Sequence, residues 1–547
     1  MVESAPARMG WPLEGSGRRA ASGAPRGRGR PGTRARPRGR GGSIPLLAVF
    51  LAVLLGAQPG LGSPRPIRET VLQTAFQGWD LSAMRRELVG GPSGRDDVLW
   101  WGVLKLLEGD LPSADHFLSR SRDPLARSLL PVVRGSREVA AGLVEAMSPG
   151  QRIRVIHPPG TAEALLPYLF EAGDAALDLF LDRLGVREDP GEALSVWLVP
   201  SFQDMARVTG LERSQLDAAG AVAVCDLRRV VMVTPDALPW GYPYADTLAH
   251  EIVHYLLTIR GGGRVPIWFQ EGVAKAWERS WRGRPVGEVG RTAARLLDTA
   301  TLQRRWIPLD RIEKGLLSLG SSDAVQLAFA ELAAFMAWTT ARKGDDAVAR
   351  LVEEMRGGDA EIAFLRVVGA RPGEWFLAFL RERENRAPEV PDPRPGMVMR
   401  EGTGESLSAL APEVEARVRL ADRLAGTQRF LSAATLLREV LAAMPVPHPE
   451  VVGRLARVLR QGGRPEEALA VLDQTALDEE EFPWLARERG LALVGAGRLP
   501  EAVDPLLVFV RTDPWEGEAH RALAEAFRSM GHRDLAERED RLRERGR

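Results

Sequence analysis

Two of the chain's seven histidines, His250 and His254, stand four residues apart in "TLAHEIVHYLL", with Glu251 beside the first. The surrounding apolar residues follow helical spacing, and a four-residue step on a helix puts both imidazoles on one face, one turn apart. Two imidazoles so placed can grip one metal ion. A carboxylate at the next position can lean over the open coordination place and take a proton from water there. Seventeen residues beyond His254, Glu271 opens a second amphipathic stretch in "PIWFQEG". A carboxylate from a neighbouring helix would complete a set of two histidines and one glutamate, leaving the fourth place for water. The bland alternative is a helix pair with buried, hydrogen-bonded histidines and solvated glutamates. It requires four residues to fall in ligand order by chance. The expectation is therefore one Zn2+ per chain, held by His250, His254 and Glu271, with Glu251 as the catalytic base.

The elements that must position these residues can be read around them. Residues 151–388 mix helix and strand. "TAEALLPYLFEAGDAALDLFLDRLG" predicts an amphipathic helix with Thr161 as N-cap and Gly185 as its stop. "LSVWLVPS" (194–201) and "AGAVAVCDLRRVVMVTP" (219–235) read as strands, the second as a hairpin turning near Asp226–Arg228. Helices dominate from residue 246, and "RGGGR" at 260–264 reads as an adjustable connector between the two site helices. The single cysteine, Cys225, excludes an intramolecular disulfide and a cysteine-based zinc site, and its apolar surroundings read as core.

The flanks repeat. "GGRPEEALAVL", "AGRLPEAVDPL" and "MGHRDLAERED" place Gly463, Gly497 and Gly531 at a spacing of 34, and Ala468, Ala502 and Ala536 at the same spacing. A helix–turn–helix unit of that period resembles the tetratricopeptide repeat (TPR) family, which implies a stacked surface for a protein partner. An earlier copy holds Ala421 and Ala433, and "GDLPSADHFL" at 109–118 matches "GRLPEAVDPL" at 497–506. The expected plan is a TPR-like helical segment at 63–150, a mixed domain at 151–388, a Pro-rich linker at 389–408 and TPR repeats at 409–547.

"HEIVHYLL…VPIWFQEGVAKAWE" resembles the gluzincin zinc metallopeptidases, specifically the bacterial peptidase MA-like families, over about 151–385. The resemblance implies a multidomain α+β chain. Its central domain would pair a small mixed or antiparallel sheet with zinc-site helices, flanked by all-α TPR-like repeats. It also implies that Gly220, Ala221, Val222 and Ala223 bind a peptide substrate as an edge strand. Glu251 would pass the water's proton to the leaving amine. Two positions depart from the relatives. Phe329 stands where they often carry a tyrosine that donates to the oxyanion, which leaves Tyr242, Tyr244 and Tyr255 as candidates. Lys275 stands where they often carry an acid behind a histidine ligand, which leaves Asp246 or Glu278 for that support, although Asp246 equally suits a helix N-cap.

Charge is uneven. Residues 1–42 carry ten arginines against Glu3 and Glu14, so the remainder is acidic and the sequence argues against nucleic-acid binding by the folded part. That basic stretch runs into about fourteen apolar residues, Ile44–Ala57. This reads as a signal peptide or N-terminal membrane anchor within 43–62. The sequence thus predicts an exported zinc metallopeptidase of the cell envelope or a secreted one, with repeats that recruit protein. The alternatives are a catalytically impaired scaffold of the same fold and an envelope assembly protein with a purely structural site.

Overall fold

The structure is a computed structural model that describes residues 67–90, 95–186, 192–238, 241–385, 411–475 and 477–545. The arginine-rich segment, the export segment and the linker expected at 389–408 lie outside the described residues.

The described residues begin with five helices: α1 (Ile67–Gln77), α2 (Leu81–Glu87), α3 (Arg95–Leu107), α4 (Leu111–Leu118) and α5 (Pro124–Ala140). Asp80, Asp110 and Asp123 cap α2, α4 and α5 by accepting hydrogen bonds from backbone N–H groups of the first turn. The chain turns between α3 and α4 at Gly109, which takes a φ of +79°. These two helices pack so closely that a Cβ on Gly102 would lie 2.7 Å from the Leu118 side chain.

A five-stranded mixed sheet follows, in the order β1 (Val144–Met147), β2 (Ile153–His157), β3 (Leu194–Val199), β5 (Arg229–Val233), β4 (Ala223–Asp226). β2, β3 and β5 run parallel, and the outer strands are antiparallel to their neighbours. The sheet therefore begins upstream of the expected boundary at 151. A 3₁₀ turn at Thr161–Leu165 and α6 (Leu166–Arg183) carry the chain from β2 to β3. Gly160, not Thr161, is the residue that precedes the turn, because its φ of +91° redirects the backbone. Gly185 ends this helical stretch with a φ of +64°, as read from the sequence. α7 (Phe202–Thr209) and α8 (Arg213–Ala219) lie between β3 and the β4–β5 hairpin.

The helices α9 (Tyr244–Arg260), α10 (Ile267–Trp277), α11 (Arg291–Gln303), α12 (Leu309–Glu313), α13 (Ser322–Lys343), α14 (Ala347–Gly357), α15 (Ala360–Val367) and α16 (Pro372–Asn385) complete the central part. α13 is long and apolar enough to cross a membrane, but 56% of that stretch is buried, as befits a core helix packed on α10. Eight further helices form antiparallel pairs: α17 (Pro412–Gly426) with α18 (Phe430–Ala442), α19 (Pro449–Gln461) with α20 (Pro465–Thr475), α21 (Pro483–Gly495) with α22 (Val503–Val510), and α23 (Gly517–Ser529) with α24 (Arg533–Arg545). Gly463, Gly497 and Gly531 turn the last three pairs with φ of +75°, +74° and +82°.

The "RGGGR" loop is not the loose connector its composition suggested. A Cβ on Gly263, whose φ is +72°, would lie 2.3 Å from the Gln77 carbonyl oxygen, and one on Gly78 would lie 2.8 Å from the Gly262 Cα. The loop is thus wedged against the end of α1. Gly263→Ala should cost about 2–4 kcal/mol, adding a backbone clash to left-handed strain. Gly463→Ala, which meets no atom within 4 Å, should cost only about 1 kcal/mol. Urea unfolding of the two variants checks this; equal losses would mean that the loop is not packed as described.

Candidate metal centre

α9 and α10 cross so that His250, His254 and Glu271 meet, and their ligand atoms all lie within 4.8 Å of one another. His250 Nε2 is 3.1 Å from His254 Nε2, and Glu271 Oε2 is 3.4 Å and 3.6 Å from these two nitrogens. Zinc bonds of about 2.0–2.1 Å at tetrahedral angles separate ligand atoms by roughly 3.3 Å, so the triangle has the size that zinc requires. The surroundings fix which nitrogen faces inward. His250 Nδ1 donates to Glu278 Oε2 (3.1 Å) and His254 Nδ1 to Gln270 Oε1 (3.2 Å). Gln270 is itself oriented by its Nε2, which donates to the Val265 carbonyl at 2.9 Å. Both Nε2 atoms then present lone pairs to each other and to a carboxylate, an arrangement that a cation relieves.

Burial sharpens the argument. His250, Glu251 and Glu271 are fully buried and His254 is 2% exposed. Neither oxygen of Glu251 nor of Glu271 has a hydrogen-bond partner of normal geometry. A buried, unpartnered carboxylate is costly unless something cationic or protic serves it, so the residues present fit a metal with its water. Burial raises the Glu251 pKa to about 7 despite the nearby histidines. A proton is the simplest such cation: against the cost of burial, Glu271 and Glu278 raise the His250 pKa to about 9 and the histidines lower that of Glu271 to about 2, so a metal would take the place of that proton on Nε2.

The support behind the ligands only partly matches the sequence reading. Glu278 holds His250, and Lys275 is the clamp on Glu278, donating to both its oxygens at 3.0 Å and 2.9 Å. Burial alone would raise the Glu278 pKa, yet Lys275 and His250 hold it near 2. Asp246 does not serve a histidine. It lies in the first turn of α9 and accepts from Trp281 Nε1 and the Arg282 guanidinium. Arg282 also reaches Glu480 between α20 and α21, so this carboxylate ties the site helix to the repeats. Gln270 went unnoticed in the sequence; its place directly before Glu271 was the available signal.

The oxyanion candidates are all engaged elsewhere. Tyr242 donates to the Val233 carbonyl, Tyr244 donates to the Val510 carbonyl at 3.2 Å, and Tyr255 bonds with Arg228. Phe329 is buried, with the Lys275 ammonium 5.9 Å from its ring centre. The edge strand is shifted as well. Gly220 ends α8 in the left-handed conformation, and Ala221 N–H returns to the Leu216 carbonyl, so neither is in a strand. Val222 only accepts from Val233 N–H ahead of β4, and Ala223 opens β4, the outer strand packed on α9.

The repeats are docked on this domain rather than free. Tyr168 and His520 both bond Glu539 Oε2, at 2.8 Å and 2.7 Å, and Trp515 Nε1 donates to the Thr161 carbonyl at 2.9 Å. A family model described as tetratricopeptide repeat matches residues 424–485. The chain is 35% identical over 97 residues to the TPR repeat-containing thioredoxin TTL4 of Arabidopsis thaliana, which is 18% of this chain and 14% of that protein. The match thus spans about a seventh of that relative's length. Among solved structures, MamA MSR-1 C2 is 25% identical over 25% of this chain and 80% of its own, with a TM-score of 0.22. The APC/C hetero-tetramer Cut9–Hcn1 is 12% identical over 87% and 91%, with a TM-score of 0.20. The chain carries tetratricopeptide repeats, and protein–protein interaction is the role they support.

Two outcomes follow. Elemental analysis should find about one zinc per chain, largely lost in His250→Ala and in Glu271→Ala; an unchanged zinc content in both would refute the ligand set. Glu331, on α13, is buried with Oε2 unpartnered, and burial raises its pKa from 4.5 to about 8. Its folded form keeps a proton that the unfolded chain releases above about 4.5, so stability should fall as pH rises from there towards 8. Glu331→Gln should flatten that decline in urea unfolding at several pH values, and an unaltered slope would contradict the assignment.

Proposed function

We propose that the protein is a zinc-dependent metallopeptidase whose TPR repeats recruit the protein it acts on. The observation that carries this reading is the Glu251 carboxylate, fully buried with neither oxygen in a hydrogen bond of normal geometry, beside the two histidines and Glu271. A structural zinc site has no use for a fourth, uncoordinated carboxylate, whereas hydrolysis needs one. His250, His254 and Glu271 would hold the zinc, whose Lewis acidity would make water nucleophilic near neutral pH. Glu251 would take a proton from water there and return it to the leaving nitrogen. Glu278 and Gln270 keep both imidazoles turned inward through their Nδ1 protons. β4 is the outer strand of the sheet, the edge along which an extended peptide would align beside α9. The sequence of residues 43–62, which reads as an export signal or anchor, supports placing this chemistry in the cell envelope or beyond.

A second reading has specific support: the ligand set is sealed from solvent, and Tyr242, Tyr244 and Tyr255 are all engaged away from an oxyanion. On it the chain is a catalytically impaired scaffold of peptidase fold that binds protein through its repeats. Glu251→Gln separates the two. On the first reading it should retain zinc and lose peptide hydrolysis by about 10²-fold or more, read by mass spectrometry of a casein digest. Cleavage undiminished in the zinc-loaded variant would refute the proposed chemistry. A parent that holds zinc and cleaves nothing would select the scaffold.

A further inference from the structure

A groove of about 1000 Å³ lies between α1–α2 and the C-terminal half of α9, apart from both the metal centre and the C-terminal repeats. Its apolar lining includes Val71, Ala75, Leu181, Leu256 and Ile259. Among the described residues its charged lining is four arginines, Arg228, Arg260, Arg264 and Arg356, against one acid, Asp80. Asp80 is committed to capping α2 through Ala83 N–H. Arg228 and Arg260 reach Glu192 (3.4 Å) and Glu353 (2.8 Å). Arg264 donates to the Arg356 backbone carbonyl at 3.3 Å, which holds these two residues side by side. Neither guanidinium has a carboxylate within ion-pair distance among the described residues.

We propose that this groove binds an extended acidic segment of another protein, whose apolar residues lie on the floor and whose carboxylates pair with Arg264 and Arg356. A guanidinium without a carboxylate partner is a ready donor for bidentate bonding, and both of these belong to the same groove. The volume stands at the upper end of small-ligand clefts and suits several residues of extended chain better than a single small anion. A nucleic acid fits the charge locally but not globally, since acidic residues outnumber basic ones by eight beyond residue 42. The wedged Gly78–Gly263 joint lies beside the groove, so its walls are held before a ligand arrives. Leu256, Ile259 and Arg260 belong to the helix that bears His250 and His254, so an occupant would rest on the site helix itself.

The test is fluorescence anisotropy with the full chain and a labelled peptide of roughly ten alternating glutamates and leucines. Micromolar binding is expected, weakened about tenfold or more by Arg264→Glu/Arg356→Glu, both residues being exposed and tolerant of change. The same charge change in the repeats, Arg423→Glu/Arg438→Glu, should have little effect. No binding would overturn the proposal, and so would equal binding of the lysine–leucine counterpart or of a labelled oligonucleotide. Equal weakening by both double variants would overturn it too. A concentration-dependent dimer dissolved by Arg264→Glu/Arg356→Glu would assign the groove to a second copy instead. None of these results depends on hydrolysis at the metal centre.

Discussion

Two buried carboxylates, Glu251 and Glu271, lie in the interior between α9 and α10 beside two imidazoles, with no hydrogen bond of normal geometry on their oxygens. In an apolar interior such a cluster is costly, and either protons or a cation with its water would relieve it. Much of the neighbouring structure can be understood as meeting that requirement. Glu278, clamped by Lys275, and Gln270, clamped by the Val265 carbonyl, keep the proton on the outer nitrogen of each histidine. α13 covers the far side of α10, where a Cβ on Gly272 would come within 3.0 Å of Met336.

The repeats connect to this centre through charge as well as packing. Glu480 takes Arg279, Arg282 and Arg284, and those attractions overcome burial to hold its pKa near 2. Arg282 passes the contact to Asp246 in the first turn of α9. Arg279 stands next to Glu278, which orients His250. A protein bound on the repeats would therefore press on an ion network one residue removed from the ligand support. Arg282 thus joins the repeats to the helix that bears His250 and His254.

Elements with strong local signatures were legible in the sequence. The two-residue turn at Leu227–Arg228, with φ of +48° and +65°, stands where the hairpin was read. The 34-residue step located the repeat turns because glycine alone adopts their left-handed backbone without strain. His250, His254 and Glu271 could be assembled because helical spacing fixes two ligands and leaves one carboxylate to find. What stayed hidden depends on contacts between distant segments. The partners of Tyr244 and Asp246 lie more than 200 and 30 residues away, at Val510 and at Arg282. The rigidity of "RGGGR" comes from Gln77, which no local pattern could name. The edge strand was placed a few residues early because Gly220 ends a helix, and glycine serves both uses.

The zinc centre is the central claim, and X-ray absorption at the zinc edge tests it most directly. The account predicts four nitrogen or oxygen neighbours at about 2.0–2.1 Å, with the outer-shell scattering of two imidazoles. A sulfur neighbour at about 2.3 Å, which only Cys225 or a methionine could supply, or six oxygen neighbours without imidazole scattering, would contradict it.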